Sequence, residues 1–360
     1  MQERVVFEVN GVEYGGLKSV TINKSVAMVA GQFSVQYTEL WPGREDPWPI
    51  LPHSPCRILL GSNVLINGYV DKLPIEFSTQ SHALCAAGRD RTGQLVDCDP
   101  QPTPGEFRNT NLEKLARTFA NPLGLSVDMA PGLHRLQTID AVRLSAGQSS
   151  YRALEEQARK DNVLLGSTSS GGLRLFCPGY ERATVPLIFG QNIESGILEN
   201  DWSNRYSHYM VDGQDQGFDS LPGTAAQVRG EAFDKSVSLP RLKRFRADSG
   251  MDNVAAGKRA DWEATTRAAR SVSLVIPMRG WRQNPDDTNS ELWREGLLVD
   301  VDIPKVKISE ELLIESVDYT FRGNKFGCVL HLTRPDAWIP KPPNPDKDPL
   351  SGEGLPELYG

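Results

Sequence analysis

The stretch from Gly68 to Cys98 constrains the fold more than any other part of the sequence. It runs GYVDKLPIEFSTQSHALCAAGRDRTGQLVDC, in which an alternating apolar segment is followed by a polar turn and a small, apolar segment. This pattern predicts two antiparallel strands, with Leu73, Ile75 and Phe77 on the first and residues 83–87 on the second. We expect Gly88 to let the chain swing out of the sheet, because glycine adopts backbone conformations that other residues resist.

A related pattern returns near the C-terminal part of the chain. Leu312–Asp318 (LLIESVD) is similar to Leu65–Asp71 (LINGYVD), and Phe326–Arg334 would supply the returning strand, with Arg334 in the place of Arg89. The second hairpin is shorter at its turn, but side chains alternate with a period of two, so the same face can still point inward. The sequence therefore predicts two copies of one β unit, with a chance likeness between hairpins as the alternative.

The composition is that of an ordinary soluble protein. The 360 residues are 39% hydrophobic and 24% charged, which allows two to four domains with cores of their own. No apolar run approaches the ~20 residues of a membrane helix, and the first residues lead directly into a predicted strand, so neither a membrane segment nor a signal peptide is expected. A net charge of −7 argues against a general or sequence-specific nucleic-acid binder. The cysteines lack a C-x-x-C spacing and are expected to be free thiols: Cys56, Cys85, Cys98, Cys177 and Cys328.

Hydrophobic periodicity and loop composition predict an α+β, mainly β fold. We expect two related antiparallel β-barrel domains, the second discontinuous, together with α/β modules. The predicted order is a first barrel at 1–98, an α/β domain at 99–180, a second barrel at 181–213 and 296–337, an insertion at 214–295 that packs with the α/β part, and a proline-rich arm at 338–360. In this scheme Tyr206–Val211 is a strand of the second barrel, and Val272–Ile276 is a strand of the insertion. Within the α/β domain, residues 163–176 are predicted to form a hairpin whose turn runs from Ser167 to Gly172.

Two helices have clear sequence signals. Thr110–Glu113 has the pattern of a capping box at the start of a helix whose apolar face includes Leu115 and Phe119. A longer helix is predicted over Asn253–Ala269, with Trp262 facing inward. Its expected outer face is charged: Lys258, Arg259, Asp261, Glu263, Arg267 and Arg270.

No catalytic, cofactor-binding or metal-binding residue is predicted. The histidines are isolated and lack a paired metal spacing: His53, His82, His134, His208 and His331. Gly88–Gly93 has the outer spacing of a phosphate loop without its Lys-Ser/Thr, and the serine-rich run at 167–171 lacks a nucleophile elbow. Asp286 and Asp287 are interpreted as part of a plain loop.

Three further features allow more than one interpretation. Arg241, Lys243, Arg244 and Arg246 surround Phe245, as in some nucleic-acid grips, although a solvated strand or an intersubunit surface explains them better. An enzyme could use paired carboxylates such as Glu155 and Glu156, which are expected on an exposed helix face. A glycan-binding module could use Trp41 and Trp48, which are expected to pack locally or at an interface.

Several motifs, taken in order, resemble those of Mu-like phage baseplate hub proteins. They are the corner GRDRTGQLVDC at Gly88–Cys98, ADWE at Ala260–Glu263 with RAAR at Arg267–Arg270, Gly280-Trp281, Leu292-Trp293, and the strands Leu312–Val317 and Leu330–Ala337. Each motif is only moderately specific, but the order extends over nearly the whole chain, apart from the proline-rich arm.

The resemblance implies a structural baseplate hub in the virion tail of a contractile phage or phage-like particle, assembled in the bacterial host cytoplasm. Members of this family resemble the T4 hub and type VI secretion spikes, and would form a homotrimer that adapts a six-fold tail tube to a three-fold spike. The implied partners are a second and third copy, the spike, the tail tube or a tube-initiating protein, and other baseplate subunits, with no cofactor and no catalysis. A tail-associated cell-wall hydrolase and a glycan-binding module are the alternatives. The proline-rich arm is expected to contact another baseplate component.

Overall fold

The computed structural model describes residues 4–37, 50–77, 82–101, 106–131, 133, 136–161, 163–214, 227–247 and 252–338. The chain divides into two compact units. The first unit comprises Met1–Leu198 and Leu274–Thr333, and the second comprises Glu199–Ser273 and Arg334–Gly360. Trp41, Trp48, His134 and residues 339–360 of the proline-rich arm lie outside the described residues, as do the side chains of Phe77 and His82.

The first unit begins with a β-rich segment and continues into a mixed α/β module. The β-rich segment has the strands β1 (Val5–Val9), β2 (Val12–Tyr14), β3 (Leu17–Ser25), β4 (Gln32–Tyr37), β5 (Pro55–Leu60), β6 (Asn63–Lys72), β7 (Ile75–Phe77) and β8 (His82–Asp90). The module has α1 (Gly93–Asp97), β9 (Glu106–Thr110), α2 (Leu112–Ala120), β10 (Val127–Met129), β11 (Ile139–Arg143), α3 (Ser150–Ala158), β12 (Leu164–Ser167) and β13 (Leu173–Phe176).

The remaining elements complete the first unit and form the second. They are β14 (Glu181–Arg182), β15 (Leu187–Ile188), β16 (Ile197–Asn200), β17 (His208–Gln214), β18 (Gln227–Phe233), β19 (Leu242–Arg246), α4 (Asn253–Arg270), β20 (Val272–Arg279), β21 (Leu297–Ile303), β22 (Ile308–Arg322) and β23 (Lys325–Thr333). Short 3₁₀ turns lie at Asn121–Leu123, Pro304–Val306 and Pro335–Trp338.

One large sheet joins the N-terminal and C-terminal β segments. Its main path is β16-β20-β23-β22-β3-β4-β8-β6-β5-β1-β2, with β21 pairing β22, β14 and β15 at a branch. Apolar side chains from both ends of the chain meet in one core, including Phe7, Ile22, Leu312 and Leu330. The prediction of an α+β, mainly β fold is confirmed, and the pairing of β22 with β3 makes the two related segments parts of a single sheet.

The α/β module has its own core and small sheets. Strands β10 and β12 flank β13, and β9 pairs with β11. The predicted hairpin at 163–176 is confirmed, because β12 and β13 pair antiparallel. The N-cap of α2 is Asn111, whose side chain accepts a hydrogen bond from the Lys114 amide, so the N-cap lies one residue after the predicted Thr110. Glu113 instead pairs with Arg117 one turn along the helix.

The second unit differs from the boundaries expected from the sequence. Tyr209 and Val211 on β17, expected in the second barrel, lie in a separate sheet with order β18-β17-β19. Both side chains are fully buried with Ala255, Ala256 and Ala260 of α4, because small helix residues let the strand and helix backbones approach closely. Strand β20, expected in the insertion, pairs with β23 in the large sheet. The compact insertion therefore spans Glu199–Ser273 instead of 214–295.

The side chains of α4 also depart from the predicted orientation. Trp262 is only half-buried, with the Arg259 guanidinium 4.7 Å from its ring centroid. Glu263, expected on the outer face, is buried and pairs with Arg259 and Arg267 at 2.5 and 3.0 Å. Alanine, not tryptophan, forms the inward face of this helix. Among the described residues, no helix combines the length and apolar character needed to cross a membrane.

Candidate functional site

The corner after β8 is built on a close crossing of β6 and β8. A Cβ atom on Gly88 would lie 2.0 Å from the Tyr69 carbonyl oxygen, and one on Gly68 would lie 2.0 Å from the Arg89 carbonyl oxygen. Gly88 is not among the residues with positive φ. The corner therefore requires this glycine for space between two backbones, and the conformational reason expected from the sequence does not apply.

An ion cluster links the two strands of this hairpin to α1. The Nε atom of Arg89 lies 2.8 Å from Oδ2 of Asp71, and its Nη2 atom lies 2.6 Å from Oδ2 of Asp97. Both carboxylates raise the pKa of Arg89, and Arg89 lowers the pKa of Asp97 through its hydrogen bonds. The cluster ties the strand end to the helix that follows the corner.

Buried polar groups hold the interior of the same corner. The carboxylate of Asp90 accepts hydrogen bonds from the Gly31 amide at 2.7 Å and the Thr92 amide at 3.1 Å, and from the Thr92 hydroxyl. Both Asp90 and Thr92 are buried. Arg91 extends to the module, where its Nη2 atom donates to the Gly124 carbonyl at 2.9 Å. The GRDRTG motif is thus a structural joint between the large sheet and the α/β module.

The second hairpin carries an equivalent cross-strand pair. In the first hairpin Arg89 is paired in register with Tyr69 and bonds Asp71, two residues farther along β6. In the second, His331 is paired with Ser316 and its Nε2 atom lies 2.9 Å from Oδ2 of Asp318, again two residues farther along. His331, rather than Arg334, therefore occupies the position of Arg89.

Strand β22 connects the two related hairpins. Its residues Ile308–Leu313 pair with β21, its residues Ser316–Arg322 pair with β3, and β23 pairs along its other edge. An irregularity in the β23 pairing lies at the change of partner, between Ile314 and Ser316. Asn23 of β3 donates to Asp318 at 2.5 Å, so hydrogen bonds through Asp318 connect β3, β22 and β23. We call Asn23, Asp318 and His331 the seam cluster.

Two motif tryptophans support the second hairpin from its buried side. Trp281 and Trp293 are almost completely buried. The indole Nε1 of Trp281 donates to the carbonyl oxygens of Thr320 and Gly327, at 3.0 and 2.9 Å. The hydroxyl of Tyr319 donates to the Trp293 carbonyl, and burial raises the pKa of Tyr319 well above its ordinary value. These tryptophans serve packing and strand support.

The basic cluster around Phe245 is engaged within the second unit. Arg241 donates to the carbonyls of Trp202 and Ser203 at 2.9 and 2.7 Å. Arg244 lies 4.0 Å from Asp212, and the Arg267 guanidinium is 5.4 Å from the Phe245 ring centroid. These contacts support the interpretation of a packed and partly solvated strand.

The carboxylates considered as candidates for catalysis lie in separate surface contacts. Glu155 pairs with Arg159 at 2.7 Å on an exposed surface, and Glu156 faces Arg152. Asp287 accepts a hydrogen bond from the Asn289 amide within an exposed turn. Within the described ranges, no group of His, Cys, Asp and Glu is arranged to hold a metal ion.

Comparison with known proteins assigns three parts of the chain to baseplate domains. Residues 4–90 match the N-terminal domain of Mu phage baseplate assembly protein GpP-like, residues 92–176 match the second domain of baseplate hub protein gp44-like, and residues 253–341 match the fourth domain of Mu phage baseplate assembly protein GpP. Together these matches cover well over half of the chain, and the first, second and fourth domains follow one another in that order. The chain belongs to the Mu-like baseplate hub proteins.

Individual relatives agree with this family. The chain is 28% identical over 324 residues to baseplate hub protein gp44 of Escherichia phage Mu, covering 88% of this chain and 84% of the relative. The 43 kDa tail protein of prophage MuSo2 from Shewanella oneidensis shares the fold, with a TM-score of 0.82, 24% identity, and coverage of 95% of this chain and 100% of that one. A type VI secretion component of Escherichia coli, described as structurally similar to the T4 tail proteins gp27 and gp5, matches at a TM-score of 0.54 and 8% identity, over 94% of this chain and 79% of that one.

Membership of this family agrees with the structural contacts made by the motif residues. This hub protein is a structural component of the virion tail baseplate rather than an enzyme. Its distinctive residues are joints between strands and modules, and the corner motif lies where the first matched domain ends and the second begins. Sequence reasoning found the corner and the tryptophans but missed Asn23, because nothing in the sequence signals its pairing with a strand almost 300 residues away.

Proposed function

We propose that this hub protein forms a homotrimeric ring that adapts the six-fold tail tube to the three-fold spike. The observation that carries the proposal is the pair of related hairpins in one sheet, each with a carboxylate bonded to a cationic or imidazole side chain two residues out of register. Two related β units in one chain give three chains six similar surfaces while true three-fold symmetry is retained.

The seam supports this proposal because it fixes the two β units with respect to each other. Strand β3 of the N-terminal β segment pairs with β22 of the C-terminal β segment along Ser316–Arg322, and apolar side chains of both segments lie in one core. A six-fold mimic needs such a fixed spacing, since two freely hinged units would present six surfaces at variable angles. We propose the spike, the tail tube or a tube-initiating protein, and other baseplate subunits as partners of the ring, with the two hairpin-bearing β units as its two barrel domains.

The mass of the purified protein in solution tests the proposal. Size-exclusion chromatography with light scattering should give three times the chain mass of 39.8 kDa. Negative-stain averages of the same peak should show a ring with six similar lobes. A monomer over the whole micromolar range, or a ring of another symmetry, would contradict the proposal. A cell-wall zymogram provides the functional control and should remain blank, whereas a lytic band would support the hydrolase alternative.

A further inference from the structure

The three-stranded sheet of the second unit has one covered face and one open face. Side chains on β18 and β19 alternate between buried or half-buried and exposed, as expected for a sheet that packs on one side only. Helix α4 covers one face and lies so close to β18 that a Cβ atom on Gly230 would be 2.0 Å from the Ala256 carbonyl carbon. The opposite face has no covering element among the described residues of this unit.

The open face has an apolar end. His208 on the central strand is paired with Phe233 on one side and Leu242 on the other, and residues directly opposite each other project to the same face. The rings of His208 and Phe233 stack with centroids 4.5 Å apart. Phe233 and Leu242, which flank His208 on either side, are 62% and 47% exposed, so this end of the face presents apolar surface to solvent.

The rest of the open face is rich in arginine. The next two rows on this face place Glu231 and Arg244 beside Met210, and Arg229 and Arg246 beside Asp212. Arg229 pairs with Glu231 at 2.6 Å, and Arg244 lies 4.0 Å from Asp212. Within the residues that the structure describes, Arg246 forms no ion pair. The face therefore carries a cationic surplus in a chain with a net charge of −7.

The proline-rich segment has the complementary composition. Residues 348–360 (DPLSGEGLPELYG) contain Asp348, Glu353 and Glu357 without a basic residue, interspersed with leucines and Tyr359. Proline-rich segments bind aromatic surfaces at low entropic cost, because their extended backbone is largely preformed. An acidic, leucine-containing segment of this kind matches a face that is apolar at one end and cationic at the other.

The segment also starts within reach of this face. The preceding turn, Pro335–Trp338, is held on α4 by Arg270, whose Nε atom donates to the Ala337 carbonyl at 3.1 Å and whose guanidinium lies 5.6 Å from the Trp338 ring centroid. An extended chain advances about 3.1 Å per residue, so residues 339–360 can span on the order of 60 Å. That distance is several times the thickness of a helix on a sheet.

We propose that residues 341–360 bind the open face of β18, β17 and β19 in their own chain. The leucines and prolines contact Phe233, His208 and Leu242, and the carboxylates face Arg229, Arg244 and Arg246. A tether keeps the local concentration of the segment in the millimolar range, so a weak contact is sufficient to keep the face covered. This contact goes beyond the proposed hub role and requires no second copy.

Photo-crosslinking in the full chain tests this contact. p-Benzoylphenylalanine in place of Tyr359, followed by peptide mapping, should yield crosslinks to residues 227–246. Mixing isotopically heavy and light chains should show that the crosslinks join residues of the same chain. Crosslinks that map elsewhere, that join heavy to light chains, or that form only with another baseplate component would overturn the proposal.

Matched substitutions separate this contact from random proximity. Phe233→Gln with Leu242→Gln should reduce the crosslink yield about tenfold, because the variant loses most of the apolar contact area. Val254→Gln changes a side chain that is 65% exposed on α4 of the same unit and should leave the yield unchanged. Glu353→Lys with Glu357→Lys should also reduce the yield, and this variant leaves the folded sheet unaltered. Equal crosslink yields in the unsubstituted chain and the three variants would overturn the proposal.

Discussion

The Nε2 atom of His331 lies 2.9 Å from Oδ2 of Asp318, and Asp318 also accepts a hydrogen bond from Asn23. The three residues lie on β23, β22 and β3. Their hydrogen bonds therefore span the β3–β22 pairing, where the N-terminal and C-terminal β segments join. Within the seam cluster, Asp318 and His331 of the second hairpin correspond to Asp71 and Arg89 of the first. The two hairpins thus share a cross-strand pair, with histidine in the second at the place of arginine in the first.

The histidine makes the seam sensitive to pH. The hydrogen bond to Asp318 raises the pKa of His331, and His331 in turn lowers the pKa of Asp318; Glu315 also raises the pKa of His331. The stability from His331 is fully present below its unfolded pKa of about 6.5 and is lost as pH rises through its higher folded value. The stability from Asp318 is present above its unfolded pKa and is lost as pH falls through its lower folded value.

We therefore expect unfolding free energy to decrease between about pH 6 and pH 8.5, and His331→Gln to remove part of this slope. The effect should stay below about 1 kcal/mol, because both side chains are roughly one third exposed. Urea denaturation at the two pH values measures it. His53→Gln, in a loop of the same unit, is the control that should retain the slope. Identical slopes for the wild-type chain and His331→Gln would contradict the assignment.

Gly88→Ala should destabilise the corner by about 1–3 kcal/mol, because the added Cβ meets a backbone carbonyl that cannot move without separating β6 from β8. Gly68→Ala should have a similar effect for the same reason. Gly257→Ala is a suitable control, since nothing lies within 4 Å of its Cβ position and it lies within α4, where alanine is favoured by up to about 1 kcal/mol. Chemical denaturation midpoints compare the three. A neutral Gly88→Ala variant would show that the strands can separate at little cost.

Trp281→Phe should lower the unfolding free energy by about 1–3 kcal/mol, because the carbonyls of Thr320 and Gly327 lose the shared indole donor of a buried ring. Trp202→Phe offers a comparison on a tryptophan that is 43% exposed, and its effect should be smaller. Calorimetry of both variants measures the difference. If the two substitutions cost the same, the hydrogen bonds of Trp281 contribute little to the second hairpin.

Asp234→Asn should destabilise the second unit by about 3 kcal/mol, because it leaves the buried Arg205 guanidinium without its charge partner. The Nη2–Oδ2 distance is 2.6 Å, and both side chains are only 9% exposed. Hydrogen exchange should detect the loss in β17 and β18. Glu231→Gln removes a more exposed pair with Arg229 and should have an effect below about 1 kcal/mol. Equal protection in both variants would argue against a stabilising role for the Arg205–Asp234 pair.

Local patterns predicted the elements but not always their neighbours. The hairpin at 163–176 and the helix near 253–270 follow from turn composition and periodicity, which act between residues close in the chain. The strand at Tyr209 was recognised but assigned to the wrong sheet. The alternation of buried and exposed residues in this strand indicates which side chains share a face. It does not indicate whether β21 or β18 is the neighbouring strand.

The β-rich character and the order of the family motifs could be read from the residues alone, because both depend on residue type and short-range spacing. The likeness of the two hairpins was a prediction from the same short-range pattern. The pairing of β3 with β22, the place of His331 opposite Asp318, and the alanines that face the core under α4 instead of Trp262 were known only from the three-dimensional structure. Those outcomes depend on strand pairing and on the space between backbones, which involve residues far apart in the chain.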